Sequence, residues 1–360
     1  MPMLRARRAI QDLREYRPPL GDRLGLRMDF NENTVGASPR VLQCLRELTL
    51  EQLARYPERE SVELSLAEFF RVRSEELLLT NGVDEAIHLI CETFLEPDDQ
   101  AVIVVPTFGI YELFVGATGA QPVPVLAKQE FAFPTEDVLA NLNDRTRLVV
   151  IANPNNPTGQ VASRADLLRI AHTAPRAAIL IDEAYFEFYG ETLLDQIGRL
   201  PNLFVARTFS KAYGLAGLRI GALMGSAEQI SAVGRVASPY NVNSVALACL
   251  PAALHDQSFV QHYVDEVRQG RERLQDTLRS LGIRYWPSHA NFVLANLGQQ
   301  HRGFVDEMRR RGVLVRDRSQ DPGCDGCVRI TVGAAEHMDQ LLAAIRATIA
   351  DIGLLKGVPA

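Results

Sequence analysis

LFVARTFSKAYGLAGLRIGALM occupies residues 203–224. Two short apolar runs, LFVAR (203–207) and RIGALM (219–224), flank a polar turn that holds Lys211. The chain has 38 Lys plus Arg, yet its only lysines are Lys128, Lys211 and Lys356. Arginine supplies positive charge equally well but does not readily deprotonate to become a nucleophile. The turn therefore offers either a surface charge or a reactive amine. The runs beside it read as strands, because continuous apolar stretches of this length suit strands covered on both faces.

The same reading extends outward to LLLT (77–80), AVIVV (101–105), LVVIA (148–152) and AAILI (177–181). Helical patterns separate these runs, which predicts an α/β fold around a mostly parallel central sheet sandwiched by helices. Five of the runs lead directly into polar clusters: NGVDEAI, PTFGIYE, NPNNPTG, DEAYFEF and TFSKAYG. Open α/β sheets bind ligands outside the carboxyl ends of their strands, so the five clusters are expected to converge. Taken singly, each has a plainer explanation. NPNNPTG is good turn chemistry. Asp182 follows a buried strand and needs a cationic partner, which a structural salt bridge would supply. NGVDEAI opens a helix whose amides suit a phosphate, although an ordinary cap looks similar. Tyr111 and Tyr185 fit a core equally well. Neither GxGxxG nor GxxxxGK[ST] occurs.

The C-terminal third differs. Val264, Val267, Leu274, Leu278 and Leu281 recur at helical spacing, with Arg271 interrupting. Packing within the chain explains so short a seam better than a dimeric coiled coil. NFVLAN (291–296) and CVRITVG (327–333) read as strands. A final amphipathic helix carries Met338, Leu341, Leu342, Ile345 and Ile349. These elements predict a smaller α+β domain beginning near residue 255. The net charge of −6 argues against nucleic acid or an anionic membrane as partner. No apolar run approaches the ~18 residues that span a bilayer. The basic start MPMLRARRAIQ has no apolar core or small-residue cleavage site, and Asp12 comes soon after, which speaks against a secretory signal. Five scattered cysteines suggest reduced thiols in a cytosol. Cys324 and Cys327 form a CxxC with no second pair to complete a zinc site, so no metal is expected.

Taken together, SKAYGLAGLRIG, NENTVGASP, RYPE, NPNNPTG, DEAYFEF and CVRITVG resemble the fold-type I aminotransferases that use pyridoxal 5'-phosphate (PLP), and within them the histidinol-phosphate aminotransferases. The resemblance runs from about residue 13 to residue 333. It implies an N-terminal arm (1–40) packing on the small domain and on a partner subunit, a large PLP-binding domain (41–255) and a small domain (256–360). Lys211 would form the Schiff base and move the proton between substrate and cofactor. Asp182 would pair with the pyridinium nitrogen, Asn156 and Tyr185 would bond the ring hydroxyl, and Tyr111 would stack on the ring. The phosphate would sit on the backbone of Gly82, Val83 and Asp84, with Thr208, Ser210 and Arg219. Tyr56 would reach the phosphate of the neighbouring subunit, making a homodimer with shared sites.

Substrate recognition would fall to Tyr16, Asn33, Arg316 and Arg329. A solvated surface pair of Arg316 and Arg318 is the alternative reading there. The resemblance implies a cytoplasmic enzyme that exchanges an amino group between histidinol phosphate and 2-oxoglutarate in ping-pong order. An aromatic amino acid aminotransferase or a threonine-phosphate decarboxylase would use the same scaffold. A non-catalytic PLP-binding sensor is a further alternative, but no DNA-binding extension accompanies the motifs.

Overall fold

The computed structural model describes residues 4–11, 13–16 and 23–353. Asp12, Lys356 and parts of the N-terminal arm and C-terminal end fall outside that set. In chain order the strands begin with β1 (Leu26–Arg27), β2 (Leu77–Thr80), β3 (Gln100–Val105), β4 (Gln121–Leu126) and β5 (Thr146–Ala152). They continue with β6 (Ala178–Asp182), β7 (Leu203–Thr208), β8 (Gly221–Gly225), β9 (Arg284–Trp286) and β10 (Phe292–Asn296). The last are β11 (Val313–Leu314), β12 (Arg316–Asp317) and β13 (Cys327–Thr331).

Seven strands form the large sheet in the order β2-β8-β7-β6-β5-β3-β4. β8 pairs antiparallel with both β2 and β7, and the other pairings are parallel. β2 to β7 therefore all end on one edge, where β8 begins. Alternate residues along each strand enter opposite cores. Val149, Ile151, Ile179, Ile181 and Val205 join one apolar cluster, while Leu148, Val150, Leu180, Phe204 and Ala206 join the other. This period of two, with both faces apolar, is why the runs read as continuous rather than alternating.

β4 was not expected as a strand. Its sequence, QPVPVL, carries two prolines, which remove ladder donors. The strand lies at the sheet edge, paired only with β3. Edge strands tolerate proline because one side of the ladder has no partner. RIGALM also begins later than expected: β8 starts at Gly221, and Arg219 sits in a turn at φ 54°.

A second, antiparallel sheet runs β12-β13-β10-β9. The helix Gln257–Ser280 buries Val264, Val267, Leu274 and Leu278 within the chain, in one cluster with Met338, Leu341 and Ile345 of the helix Ala335–Asp351. Arg271, the interruption in that seam, donates to Ala290 O at 2.8 Å. β1 pairs in parallel with β11, so the chain touches the smaller sheet region before entering the larger one. Thr331 N then donates to Met28 O at 3.0 Å, and Asn31 N to Thr331 Oγ1 at 3.1 Å. The segment after β1 is thereby stitched across the face where the two sheets meet.

Candidate active site

A cavity of about 480 Å³ opens at the shared edge of the large sheet. Its walls include Val83, Asp84, Tyr111, Asn156, Asp182, Tyr185, Thr208, Ser210, Lys211 and Arg219 from the strand-end clusters, with Tyr16, Arg316 and Arg329 from elsewhere.

Lys211 sits just past β7 in a turn set by Ser210 N, which donates to Thr208 Oγ1 at 3.1 Å. Its Nζ donates to Phe30 O at 3.1 Å. Desolvation and the nearby Arg329 charge push the ammonium down to about 8. About a tenth of the amine is then neutral at pH 7, far more than for an exposed lysine, and a nucleophilic amine requires that neutral form.

Asp182 ends β6 and is 5% exposed. Its Oδ2 accepts from the Tyr111 hydroxyl at 2.6 Å and its Oδ1 from Ala184 N at 3.0 Å. Burial pushes the carboxyl up to about 6, against the lowering effect of the Tyr111 hydrogen bond. Its partners are Tyr111 and Ala184, and no basic group pairs with it among the described residues, so the plainer alternative of a structural salt bridge is not what forms. Beside it, burial raises the Tyr185 phenol, whose oxygen accepts from Asn31 Nδ2 at 2.9 Å.

One end of the cavity is an anion cradle. The helix Gly82–Phe94 starts there, directing its first amides at the opening. Gly221 lets β8 lie against this helix start, since a Cβ on it would come within 2.9 Å of the Gly82 carbonyl carbon. Gly82 adopts φ +76°, and a Cβ on it would meet Arg219 Nη2 at 2.7 Å. Arg219 Nη2 also donates to Asp84 Oδ2 at 2.9 Å, which aims the guanidinium across the cradle. Thr208 and Ser210 complete this end, both buried.

The opposite end is lined by arginine. Arg329 is 5% exposed and donates to Asn156 Oδ1 and to Asp29 O. Burial and the charges of Arg318 and Arg316 push it down to about 10. Arg316 lies opposite Arg329 in the β12–β13 ladder, with its guanidinium 5.7 Å from the Phe30 ring centroid. Arg318 also lines the cavity and is buried, so a solvated surface pair is not what forms here.

Three expected residues lie apart from the cavity walls. Gly82 sits behind them as the start of the helix. Asn33 commits its side chain locally: its Nδ2 donates to Ala212 O at 2.9 Å, and its Oδ1 accepts from Val35 N and Gly36 N. It is not among the residues that line the cavity. Tyr56 is 77% exposed and stacks on Tyr240, beside a separate surface recess. Conversely, Asn31, Phe30, Glu32 and Arg318 line the cavity although the sequence did not mark them as site residues. Asn31 stands two residues from Asn33 in the same NEN stretch, which is the signal that was available.

Residues 25–345 match the family model for aminotransferase class I and II. This chain belongs to that family. It is 35% identical, over 89% of its length and 92% of the relative's, to histidinol-phosphate aminotransferase of Caldanaerobacter subterraneus subsp. tengcongensis. Histidinol-phosphate aminotransferase 2 of Pseudomonas fluorescens is 36% identical, with 90% of this chain and 89% of the relative covered. Among solved structures, histidinol-phosphate aminotransferase of Sinorhizobium meliloti in complex with pyridoxal-5'-phosphate superposes with a TM-score of 0.89. That similarity is at 25% identity and covers 98% of this chain and 99% of the other.

As a member of this family the chain is a PLP-dependent aminotransferase with the fold-type I architecture. The cavity fits that cofactor. It holds a buried carboxylate lacking a cation, a desolvated amine and a glycine cradle facing an arginine.

Proposed function

We propose that the enzyme exchanges an amino group between histidinol phosphate and 2-oxoglutarate. One observation carries the reading: a single cavity has a cationic end at Arg219 and a second at Arg316 and Arg329. A cofactor phosphate held at the Arg219 end would leave the other end for a second dianion. The curated relatives named for histidinol phosphate support the same choice.

Bound there, PLP supplies an electron-poor ring that accepts the electron pair left at the substrate's Cα. The protein's part divides by residue. Thr208, Ser210, Arg219 and the amides of Gly82, Val83 and Asp84 anchor the phosphate. Asp182 holds a proton at the ring nitrogen, and Tyr111 orients its carboxylate. Asn156 and Tyr185 serve the ring hydroxyl. Lys211 would hold the cofactor through Nζ and, once the substrate's amine has displaced it, would take the proton from Cα at that same freed nitrogen. Arg329 and Arg316 would grip the anionic end of the substrate, with Tyr16 in the wall of the same cavity.

Tyr56 is exposed and is not among the residues lining its own chain's cavity, which suits a contact with the phosphate site of a second copy in a homodimer. We divide the chain into an arm (1–40), a PLP domain (41–255) and a small domain (256–360), a division supported by the separation of the seven-stranded sheet from the four-stranded one. All five cysteines are free, and we place the enzyme in the cytoplasm. No helix of the described residues is long and apolar enough to cross a membrane.

Two results test this account. Gly82→Ala should weaken PLP binding by ~10-fold or more, because its Cβ displaces the Arg219 guanidinium and costs a charge-assisted contact of about 1.5–3 kcal/mol. Titrating cofactor-free protein with PLP measures it. For the substrate, the PLP form is mixed separately with histidinol phosphate, phenylalanine and threonine phosphate while cofactor absorbance is monitored. Histidinol phosphate should convert it fastest. Faster conversion by phenylalanine, or carbon dioxide release from threonine phosphate, would replace the reading.

A further inference from the structure

The arginine end holds more than the residues assigned to it. Alternation along β12 and beyond puts Arg316 and Arg318 on one face, and Arg318 N continues the ladder by donating to Cys327 O at 2.9 Å. Arg329 stands cross-strand from Arg316, so three guanidinium groups share one wall of the cavity. Each keeps a buried N–H without a protein partner: Arg316 Nη1, Arg318 Nε and Arg329 Nε. A buried donor left unpaired costs about 1–3 kcal/mol. Three such donors on adjacent cations call for an acceptor with several oxygens.

Arg318 is also tethered. Its Nη2 ion-pairs with Asp321 and approaches Thr107 O at 3.4 Å. Asp321 is held by the same turn that contains the CxxC. Asp321 N donates to Arg318 O, Cys324 N to Asp321 O, and Cys327 N to Cys324 O. Cys324 and Cys327 are fully buried against Trp286 and Leu294. The cysteines thus act as small apolar anchors for the loop that carries Asp321.

The charge count of this wall is informative. Asp29 and Glu32, also close by, are paired with Arg23 and Arg27. Asp321 alone offsets the three arginines, leaving two positive charges facing a ligand. A phosphate dianion matches both that charge and the spare donors. A carboxylate, with one charge and two oxygens, leaves donors unpaired.

We infer that Arg318, positioned by Asp321, is a specificity-determining residue that favours phosphate-bearing amino donors over carboxylate-bearing ones. The inference rests on the proposed histidinol-phosphate substrate and deepens that proposal. Arg318 engages the anion, while Asp321 acts through Arg318 and is a positioning residue.

The test uses the PLP-loaded full chain and measures single-turnover conversion against donor concentration. Histidinol phosphate and glutamate are compared for Arg318→Gln, Asp321→Asn and Asp321→Glu. Arg318→Gln should raise the apparent Kd for histidinol phosphate by ~10- to 100-fold, from the loss of a charge-assisted contact. That loss should exceed the loss for glutamate by ~10-fold or more. Asp321→Asn should shift the same ratio in the same direction, and Asp321→Glu should restore most of it. Equal losses for the two donors, or no loss for either, would overturn the inference. Competition by inorganic phosphate against glutamate separates this result from the donor's identity. If histidinol phosphate fails as a donor for the wild type, the substrate reading falls. A weaker inhibition of Arg318→Gln than of wild type by phosphate would still uphold the anion preference, and unchanged inhibition would end it.

Discussion

Lys211→Ala loses transamination by at least ~10⁴-fold, because one substitution removes both the covalent attachment and the proton carrier. The fold should survive. The side chain makes a single hydrogen bond, to Phe30 O, and the turn around it is held by backbone and Thr208 contacts. Denaturation of the cofactor-free variant should therefore match wild type within about 1 kcal/mol. The same protein mixed with PLP should lack the long-wavelength absorbance of a lysine-bound cofactor. Retained turnover near the wild-type rate would contradict the assignment of the amine.

Asp182→Asn gives a result with opposite signs for activity and stability. Its carboxylate would hold the proton on the ring nitrogen, and removing such a preorganised charge costs on the order of 10²- to 10³-fold in kcat. In the cofactor-free protein, however, the charge is a liability. Burial holds the folded pKa up at about 6, above the ordinary carboxyl value. Between those two values the folded chain keeps a proton that the unfolded chain has released. Stability therefore falls as pH rises through this window, and above about pH 6 the full penalty of about 3 kcal/mol stands. The asparagine carries no charge; its Oδ1 can accept from Ala184 N, and its Nδ2 can donate to the Tyr111 hydroxyl oxygen. At pH 8, without cofactor, it should be more stable than wild type by about 1–3 kcal/mol, and near pH 4 the difference should shrink. Urea denaturation at the two pH values reads this. An Asp182→Asn protein less stable at pH 8 would show that the carboxylate is satisfied without the cofactor.

The sheet was legible because five strands carry apolar residues on both faces and end in polar clusters. The features that escaped depend on partners distant in sequence. The prolines of β4 forbid a central strand but not an edge, and only the neighbours decide which it is. The antiparallel direction of β8 leaves no mark on an apolar run that reads alike both ways. Within NEN, Asn31 and Asn33 have the same chemistry. Asn31 faces the cavity because Tyr185 and Thr331 meet it there, across 154 and 300 residues of chain. Arg318 looked like surface charge because its burial comes from Thr107, 211 positions away, and from a loop closed by two cysteines. The chemical residues were easier to find, since Lys211, Asp182 and Arg219 lie directly at the ends and beginnings of strands.

The chain's three lysines make the central claim open to one measurement. Borohydride reduction of the PLP-loaded protein, then digestion and mass spectrometry, locates the attached cofactor. The account predicts a single modified peptide, from the stretch TFSKAYGLAGLR, with the cofactor on Lys211. Attachment at Lys128 or Lys356 instead, or no attachment at all, would contradict it.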